Sequence, residues 1–429
     1  METDAEVVVV GGGIVGCAAA YYLAKRGARV VLVEKGDIAD EQSSRAWGFV
    51  RQQGRDPAEL PLMLEGNRIW RGLSDELSAD IEWVQGGNLG IGGNEERMEE
   101  FRGWLPLARE YGLDTRVLTR AEVQALVPAL QGPFAGGMYT SNDGHAEPRL
   151  ATTALARAAR EHGATLHTHC AAEGVEVSGG KVSGVRTEQG LIRTSVVVCA
   201  AGVWSARLAR MVGLSLPVRV VRSTAAQTVP VPPLTRAGIW APGIAIRQRG
   251  DGTLYIAGGG LSDYHITLES FQHLRLFLPN YLKNWRMFNM HVGAELVKDI
   301  GRRLPWSSAR AHPFAHTVGV EPEPNIETVK RSRRNLVELV PSLSGVRIRH
   351  AWAGLIDATP DAVPVLGPAP NPEGFIFATG FSGHGFAMGP IAGRVVAELI
   401  LDGRPSVDIS GMDYARFEEG RVGSPRNVL

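Results

Sequence analysis

Gly11, Gly13 and Gly16 stand in G-x-G-x-x-G spacing directly after four consecutive valines. Glycines so placed can hold a pyrophosphate on bare backbone. Gly11 permits a tight turn, Gly13 lets a phosphate approach the main chain, and Gly16 lets a following helix lie close on the strand. Ile14 and Val15, the first residues of that helix, then offer N–H groups and a partial positive charge to the phosphates. Glu34 follows, with Lys35 beside it. A carboxylate there accepts hydrogen bonds from both ribose hydroxyls of an adenosine and repels a 2′-phosphate. This chemistry binds a dinucleotide, and the motif by itself leaves NAD and FAD both open.

The elements that must position these residues are legible around them. Val7 to Val10 suit a parallel strand covered on both faces, where alternation disappears. Ile14 to Lys25 has a helical composition and Gly27 closes it as a C-terminal cap, before a second buried strand from Arg29 to Val33. Val7 to Ala24 is uncharged and long enough for a membrane span, but its glycine cluster reads as strand, turn and helix, so no span is expected.

The chain has 429 residues, 44% of them hydrophobic, with 45 basic and 45 acidic side chains. Single cores stop growing at roughly 250 to 300 residues, so two domains are expected. The charge balance provides no global field for nucleic acid or an anionic membrane. Cys17, Cys170 and Cys199 are far apart, which argues against a metal-ligand pair or a disulfide framework; no metal is expected. With no signal-like segment, a reducing, cytoplasmic setting is expected. Lys330, Arg331, Arg333 and Arg334 read as a solvated helix face.

Three further segments bear on the choice of cofactor. They are Ser43-Ser44-Arg45 with Gly48 to Gln53, the run Val196 to Ser205, and Thr359-Pro360-Asp361 with Pro364 to Gly367 followed by Ala378 to Phe386. With the N-terminal motif these resemble the D-amino-acid oxidase superfamily of FAD-dependent amine oxidoreductases, which includes glycine and sarcosine oxidases. Within it, the Gly48 to Gln53 run looks closest to the β-type subunits of opine oxidase, proline dehydrogenase and hydrogen cyanide synthase.

The resemblance implies an α/β fold: a Rossmann-like FAD-binding domain built from discontinuous segments plus an antiparallel-sheet substrate domain. The expected divisions are residues 1–78, 148–216 and 336–429 for the first and 79–147 and 217–335 for the second. It implies that FAD is met by Gly11, Gly13 and Gly16 at the pyrophosphate, Glu34 at the ribose, and Ser43 and Ser44 at the phosphate and flavin side. It also implies Val175 at the adenine, Ala201 and Gly202 with Trp204 on a turn beside the cofactor, and Gly354, Gly383, His384, Gly385 and Phe386 around the flavin. The helix after them would point its N-terminus at the flavin's pyrimidine end, favouring the negative charge that collects on reduction.

Between the cofactor segments, a helix is expected from Glu95 to Tyr111, a turn at Asp143-Gly144, and a helix from Thr152 to Arg160. Strands Thr165 to His169, Gly174 to Val177 and Val182 to Val185 should complete the nucleotide-binding half. Pro217 to Val229 should lie antiparallel to Ile244 to Ile256 as a roof over the flavin. Ser270 to Arg303 reads as helical, packed or serving as a lid or docking face.

The implied reaction is hydride transfer from the carbon next to nitrogen to flavin N5, giving an imine. The substrate would be a secondary amine, opine, N-methyl or D-amino acid. The cofactor carries the redox chemistry, and the protein orients the substrate. A substrate carboxylate calls for a planar, bidentate cation, for which Arg51 is the first candidate and Arg222 or Arg247 weaker ones; Arg51 could equally pin a loop or the flavin. His384 is read as positioning flavin more than moving protons. Tyr255, Tyr264 and Trp352 could shape a substrate cage or simply pack.

Two departures from the family pattern matter. Ala387 follows Phe386 where sarcosine oxidases carry a carboxylate-binding lysine. The strand Gly252 to Ile256 lacks the lysine that assists oxygen reduction, which favours a dehydrogenase over an oxygen-using oxidase. Gly354 stands near where some members attach flavin to cysteine, so FAD is expected to be non-covalent. An FAD-carrying subunit that passes electrons to a partner or other acceptor, and a plain NAD-binding protein, remain alternatives.

Overall fold

The computed structural model describes residues 3–304, 307, 314, 317–319 and 321–426. Residues 1–2 and 427–429 of the expected cofactor domain, and the rest of 305–320 in the expected substrate domain, lie outside the described residues.

The valine runs do what their burial pattern requires. Strand β1 (Val7–Val10) is buried along its whole length and sits inside a six-stranded sheet. It pairs in parallel with β2 (Val30–Val33) on one side and with Val196–Cys199 on the other. Thr165–His167 extends the sheet beyond β2, and Phe375–Thr379 then Val365–Pro368 extend it beyond Val196–Cys199, the last pair antiparallel. Helix α1 (Ile14–Lys25) joins β1 to β2 with the bounds the sequence reading gave it, and β2 begins one residue later than expected. It is apolar almost all round because it is buried almost all round.

Small residues let two helices approach closely over this sheet. A Cβ on Gly393 of the C-terminal helix Gly385–Leu401 would stand 2.5 Å from the backbone of Ala18, and one on Gly389 would meet Ile14 at 2.8 Å. That contact sets the C-terminal helix directly behind the glycine turn. Of the strands expected to complete the nucleotide half, Thr165–His167 joins this sheet, while Ala172–Ser178 and Lys181–Thr187 pair with each other and, with Gly190–Arg193, form an antiparallel three-stranded sheet.

The roof is a ten-stranded sheet. Its central strand Arg219–Thr228 does not pair with Ile244–Gln248; it pairs with Leu254–Ala257, which turns back onto Ile244–Gln248. Its longest partner is Ile348–Ala358, antiparallel from Arg219 opposite Ala358 to Thr228 opposite Ile348. Residues 348–358 thus lie in the roof although the sequence reading grouped them with the cofactor segments.

The stretch expected to be helical from Ser270 to Arg303 is broken. Helices Leu274–Asn284 and Ala294–Arg303 flank a strand, Phe288–His291, that adds in parallel to Ser262–His265. Pairing at a sheet edge overrides the local helical composition there. Among the described residues no helix is long and apolar enough to cross a membrane.

Candidate active site

The glycine turn is held by contacts that leave no room for side chains. Gly11 has φ +117°, and a Cβ on it would lie 2.4 Å from the Ala200 carbonyl oxygen. A Cβ on Gly16 would lie 2.0 Å from the Gly11 carbonyl oxygen, so the helix is close on the strand as the spacing requires. Around Gly13 only Ser43 Oγ comes near, at 3.1 Å from such an atom, so this residue offers bare backbone to the adjoining cleft.

Two side chains fix the turn from below. Glu34 accepts from the N–H of Gly12 at 2.6 Å and of Gly36 at 2.8 Å. Burial raises its pKa even though these two amides oppose the shift. Ser43 Oγ accepts from Ile14 N–H at 2.9 Å, capping the start of α1. Ser44 instead turns its hydroxyl to the Glu41 carbonyl and stands off the cleft.

The cleft runs from Glu34, Lys35 and Ala172 past Gly11, Gly13, Ile14 and Val15 to Ala201, Gly202, Trp204, Gly383, Gly385 and Phe386. Trp204 donates its indole N–H to both oxygens of Glu41 at 3.0 and 2.9 Å, and Glu41 also pairs with Lys35. Asp357, which the sequence reading passed over, lines the far end and accepts from Gly380 N–H at 2.7 Å. Val175 lies off the cleft, paired with Val185 in the small antiparallel sheet; Ala171 and Ala172 reach the cleft in its place. A long cleft floored by a side-chain-free turn at a helix N-terminus, with a carboxylate at one end, fits a flavin adenine dinucleotide.

A larger cavity, about 980 Å³, opens beside the flavin end and shares Gln42, Ala46, Ile356, Gly383 and Phe386 with it. Arg51 lines it, 3% exposed, with its guanidinium 5.1 Å over the Trp240 ring and donating to the Gln53 carbonyl. Beneath it, buried Asp143 accepts from Gln52 N–H at 2.8 Å and Gln53 N–H at 3.1 Å. Burial pushes the Asp143 carboxyl up to about 6. The expected Asp143-Gly144 turn therefore places a carboxylate that braces the arginine loop.

Arg55 and Glu59 complete a charged floor that the sequence reading missed. Arg55 is 3% exposed, donates through Nε to the Arg51 carbonyl at 3.2 Å, and holds Nη1 4.0 Å from Glu59 Oε2. Glu59, with no exposed surface, receives His384 Nδ1 at 2.7 Å on its other oxygen. Burial and the Arg55 charge hold His384 down to about 4, although Glu59 opposes them. The available signal was the spacing of Arg51, Arg55 and Glu59, four residues apart each time.

The other candidates fall elsewhere. Gly354 lines the large cavity, where a Cβ would meet Gln42 Oε1 at 2.3 Å. Tyr255 lines neither cavity: Arg247 and Arg249 stack on its ring at 4.8 and 5.1 Å and Trp352 meets it edge-on. Arg247 is fully buried against Glu147 at 2.6 Å, and Arg222 pairs with Asp263 at 3.2 Å. Tyr264 bonds Ser270, and Trp352 donates to the Arg45 carbonyl. The strand whose lack of lysine favoured a dehydrogenase thus lies away from the cavity, and Lys283 of the helix Leu274–Asn284 lines it.

Residues 6–399 match the model of the DAO family, described as FAD dependent oxidoreductase. The chain belongs to that family. It is 27% identical to human mitochondrial sarcosine dehydrogenase over 99% of this chain and 43% of that protein. It is 26% identical to glycine oxidase of Geobacillus kaustophilus over 97% of this chain and 98% of that protein. The chain spans less than half the length of the mitochondrial relatives it matches. Among solved structures, L-amino acid deaminase from Proteus myxofaciens in complex with anthranilate superposes with TM-score 0.90 at 28% identity, covering 97% of this chain and 94% of that one. L-proline dehydrogenase from P. horikoshii does so with TM-score 0.81 at 26% identity, covering 98% and 99%.

Proposed function

We propose that this family member oxidises an amine or amino acid at the carbon bearing nitrogen, in the cavity beside the flavin end of the cleft. The carrying observation is the placement of buried Arg51 in a cavity that shares a wall with the dinucleotide cleft. Similarity to sarcosine dehydrogenase, glycine oxidase and an amino acid deaminase supports the same substrate class.

When bound, the flavin accepts the hydride equivalent, leaving an imine. The residues of the chain do the rest. Gly11, Gly13, Glu34 and Ser43 hold the dinucleotide, and Arg51 receives the substrate carboxylate with Arg55 adding to the local positive potential. Trp47, Phe49 and Trp240 wall the cavity and exclude water, which favours the neutral amine that hydride loss requires. The cofactor half then comprises the six-stranded sheet with its helices, and the substrate half the ten-stranded roof including residues 348–358.

Among the described residues no cysteine lines either cavity, which supports FAD held without a cysteine link. Acid precipitation should release the yellow colour to the supernatant, and flavin retained in the pellet would overturn this. Anaerobic mixing with a panel of N-methyl, imino and D- or L-amino acids should bleach the flavin with at least one of them. A flavin reduced by dithionite but by no amine would sink the assignment. Because Lys283 faces the cavity, the choice between oxygen and another acceptor or partner rests on peroxide yield: stoichiometric peroxide marks an oxidase, and its absence a dehydrogenase.

A further inference from the structure

We propose that Glu59 and His384 form a proton-accepting pair for the substrate amine, with His384 Nε2 as the acceptor and Glu59 as the positioning residue. This rests on the amine-oxidation reading and adds to it the group that takes the ammonium proton.

The tautomer follows from the contacts. A carboxylate can only accept, so the 2.7 Å contact from His384 Nδ1 to Glu59 Oε1 requires the proton on Nδ1. In the neutral ring Nε2 is then a bare acceptor. His384 lines the large cavity beside Gly383 and Phe386, at the place where it meets the dinucleotide cleft. Buried polar atoms without a partner include Glu59 Oε2 and Arg55 Nη1, but not His384 Nε2. Among the described residues no hydrogen bond reaches that nitrogen, and His384 lines the cavity.

The chemistry has a use for such a group. An amino acid carries an ammonium in water, and its nitrogen must be neutral for a hydride to leave the adjacent carbon. One N–H bond of the ammonium breaks, its electron pair stays on nitrogen, and the proton forms a new bond to Nε2. The resulting imidazolium faces the Glu59 carboxylate through Nδ1–H and returns its proton to solvent once the product has left the cavity.

The surrounding charges make the pair responsive to substrate. His384 faces Glu59 at the start of the helix Leu60–Glu76 and Arg51 and Arg55 on the preceding loop. Across the cavity stand Arg45, Lys283 and, on the helix Glu95–Glu110, Glu96, Arg97 and Glu100. In the empty cavity burial, together with the Arg55 and Arg51 charges, keeps the imidazole neutral. A carboxylate seated on Arg51 offsets part of that potential, so substrate binding itself raises the basicity of Nε2.

The test uses the FAD-loaded protein and its variants Glu59→Gln and His384→Asn. With the amino acid that bleaches the wild type best, flavin reduction near pH 7 should slow by about 100-fold in each variant, in line with general-base contributions. The deficit should shrink toward zero as pH rises through the substrate's own ammonium pKa. A deficit constant across pH, or none at pH 7, would overturn the proposal and leave amine oxidation standing. Failure of every amine to reduce the wild-type flavin would instead remove the reading beneath it. Independently of turnover, ¹⁵N-histidine NMR should give His384 as the Nδ1–H tautomer. Its midpoint should rise on addition of acetate in the wild type and fall in Glu59→Gln. An Nε2–H tautomer would overturn the proposal even if a variant loses flavin.

Discussion

The dinucleotide cleft and the substrate cavity share five residues of wall, yet they are built in opposite ways. The cleft is made of missing side chains: its turn is one short peptide in which any Cβ would strike backbone at 2.0 to 2.4 Å at Gly16 and Gly11. The cavity is made of long side chains carried in from separate elements, Arg51 and Arg55 from a loop, Glu59 from a helix start and His384 from the C-terminal segment. Backbone sites are specified locally and tolerate nothing. Side-chain sites are specified by tertiary packing and can be retuned one residue at a time.

The sharpest way to break this contrast is at Gly11. Gly11→Val combines a disfavoured φ with a clash on the Ala200 carbonyl, strain of about 3 kcal/mol or more, and should weaken flavin retention by roughly 100-fold or more. The ratio of absorbance near ~450 nm to that at ~280 nm reads it directly. Full flavin occupancy would show that the turn is not the cofactor floor.

Next in size is Arg51. Arg51→Met should raise KM for a carboxylate substrate by about 30- to 5,000-fold with flavin content unchanged, as for loss of a buried charge partner worth about 2 to 5 kcal/mol. Arg51→Lys should recover part of it, since a point charge replaces a planar fork. Loss of flavin in parallel with KM would collapse the distinction between the two regions.

Smaller effects come from buried histidines. Burial holds His145 down to about 3 and His384 to about 4, against roughly 6.5 in an unfolded chain. Their folded values are depressed, so the unfolded chain binds more protons below about 6.5, and their stabilising contribution is lost as pH falls from there toward 4 and 3. Tm should drop across that window, with a shallower drop in His145→Gln. An equal slope in wild type and variant would remove His145 from the account.

The smallest expected response is that of the thiols. Cys17, Cys170 and Cys199 are buried, and burial pushes Cys199 up to about 12. Native protein should react with a thiol reagent only as fast as it unfolds. Rapid labelling would show that the cofactor half opens locally.

What could be read from the sequence follows the same division. Ile14–Lys25 and β1 were legible to the residue because valine runs and glycine punctuation act locally. Glu95–Glu110 was found within one residue, and the Asn94 side chain caps its start. The strand Phe288–His291 was not, because only its neighbour Ser262–His265 makes it a strand. Tyr255 was read as a cage or packing residue because a roof strand carries it, and since strand residues alternate faces only the structure shows that it packs on Arg247, Arg249 and Trp352. Arg55 and Glu59 escaped notice because charged residues four apart are ordinary in a sequence. Only burial against His384 makes them chemistry.

The strand Ile348–Ala358 carries a mechanical consequence. It runs unbroken for eleven residues from the roof, where it matches Arg219–Thr228, to Asp357, which is tied to Gly380 beside the cofactor cleft. A hydrogen-bonded strut of that kind ties ceiling and floor into one frame, so the two cavities keep a fixed spacing. The segment around Asn280, Lys283 and Met287 lines the cavity beside this frame and is tied to it by the Asn280 amide, which donates to the Pro360 carbonyl at 3.1 Å.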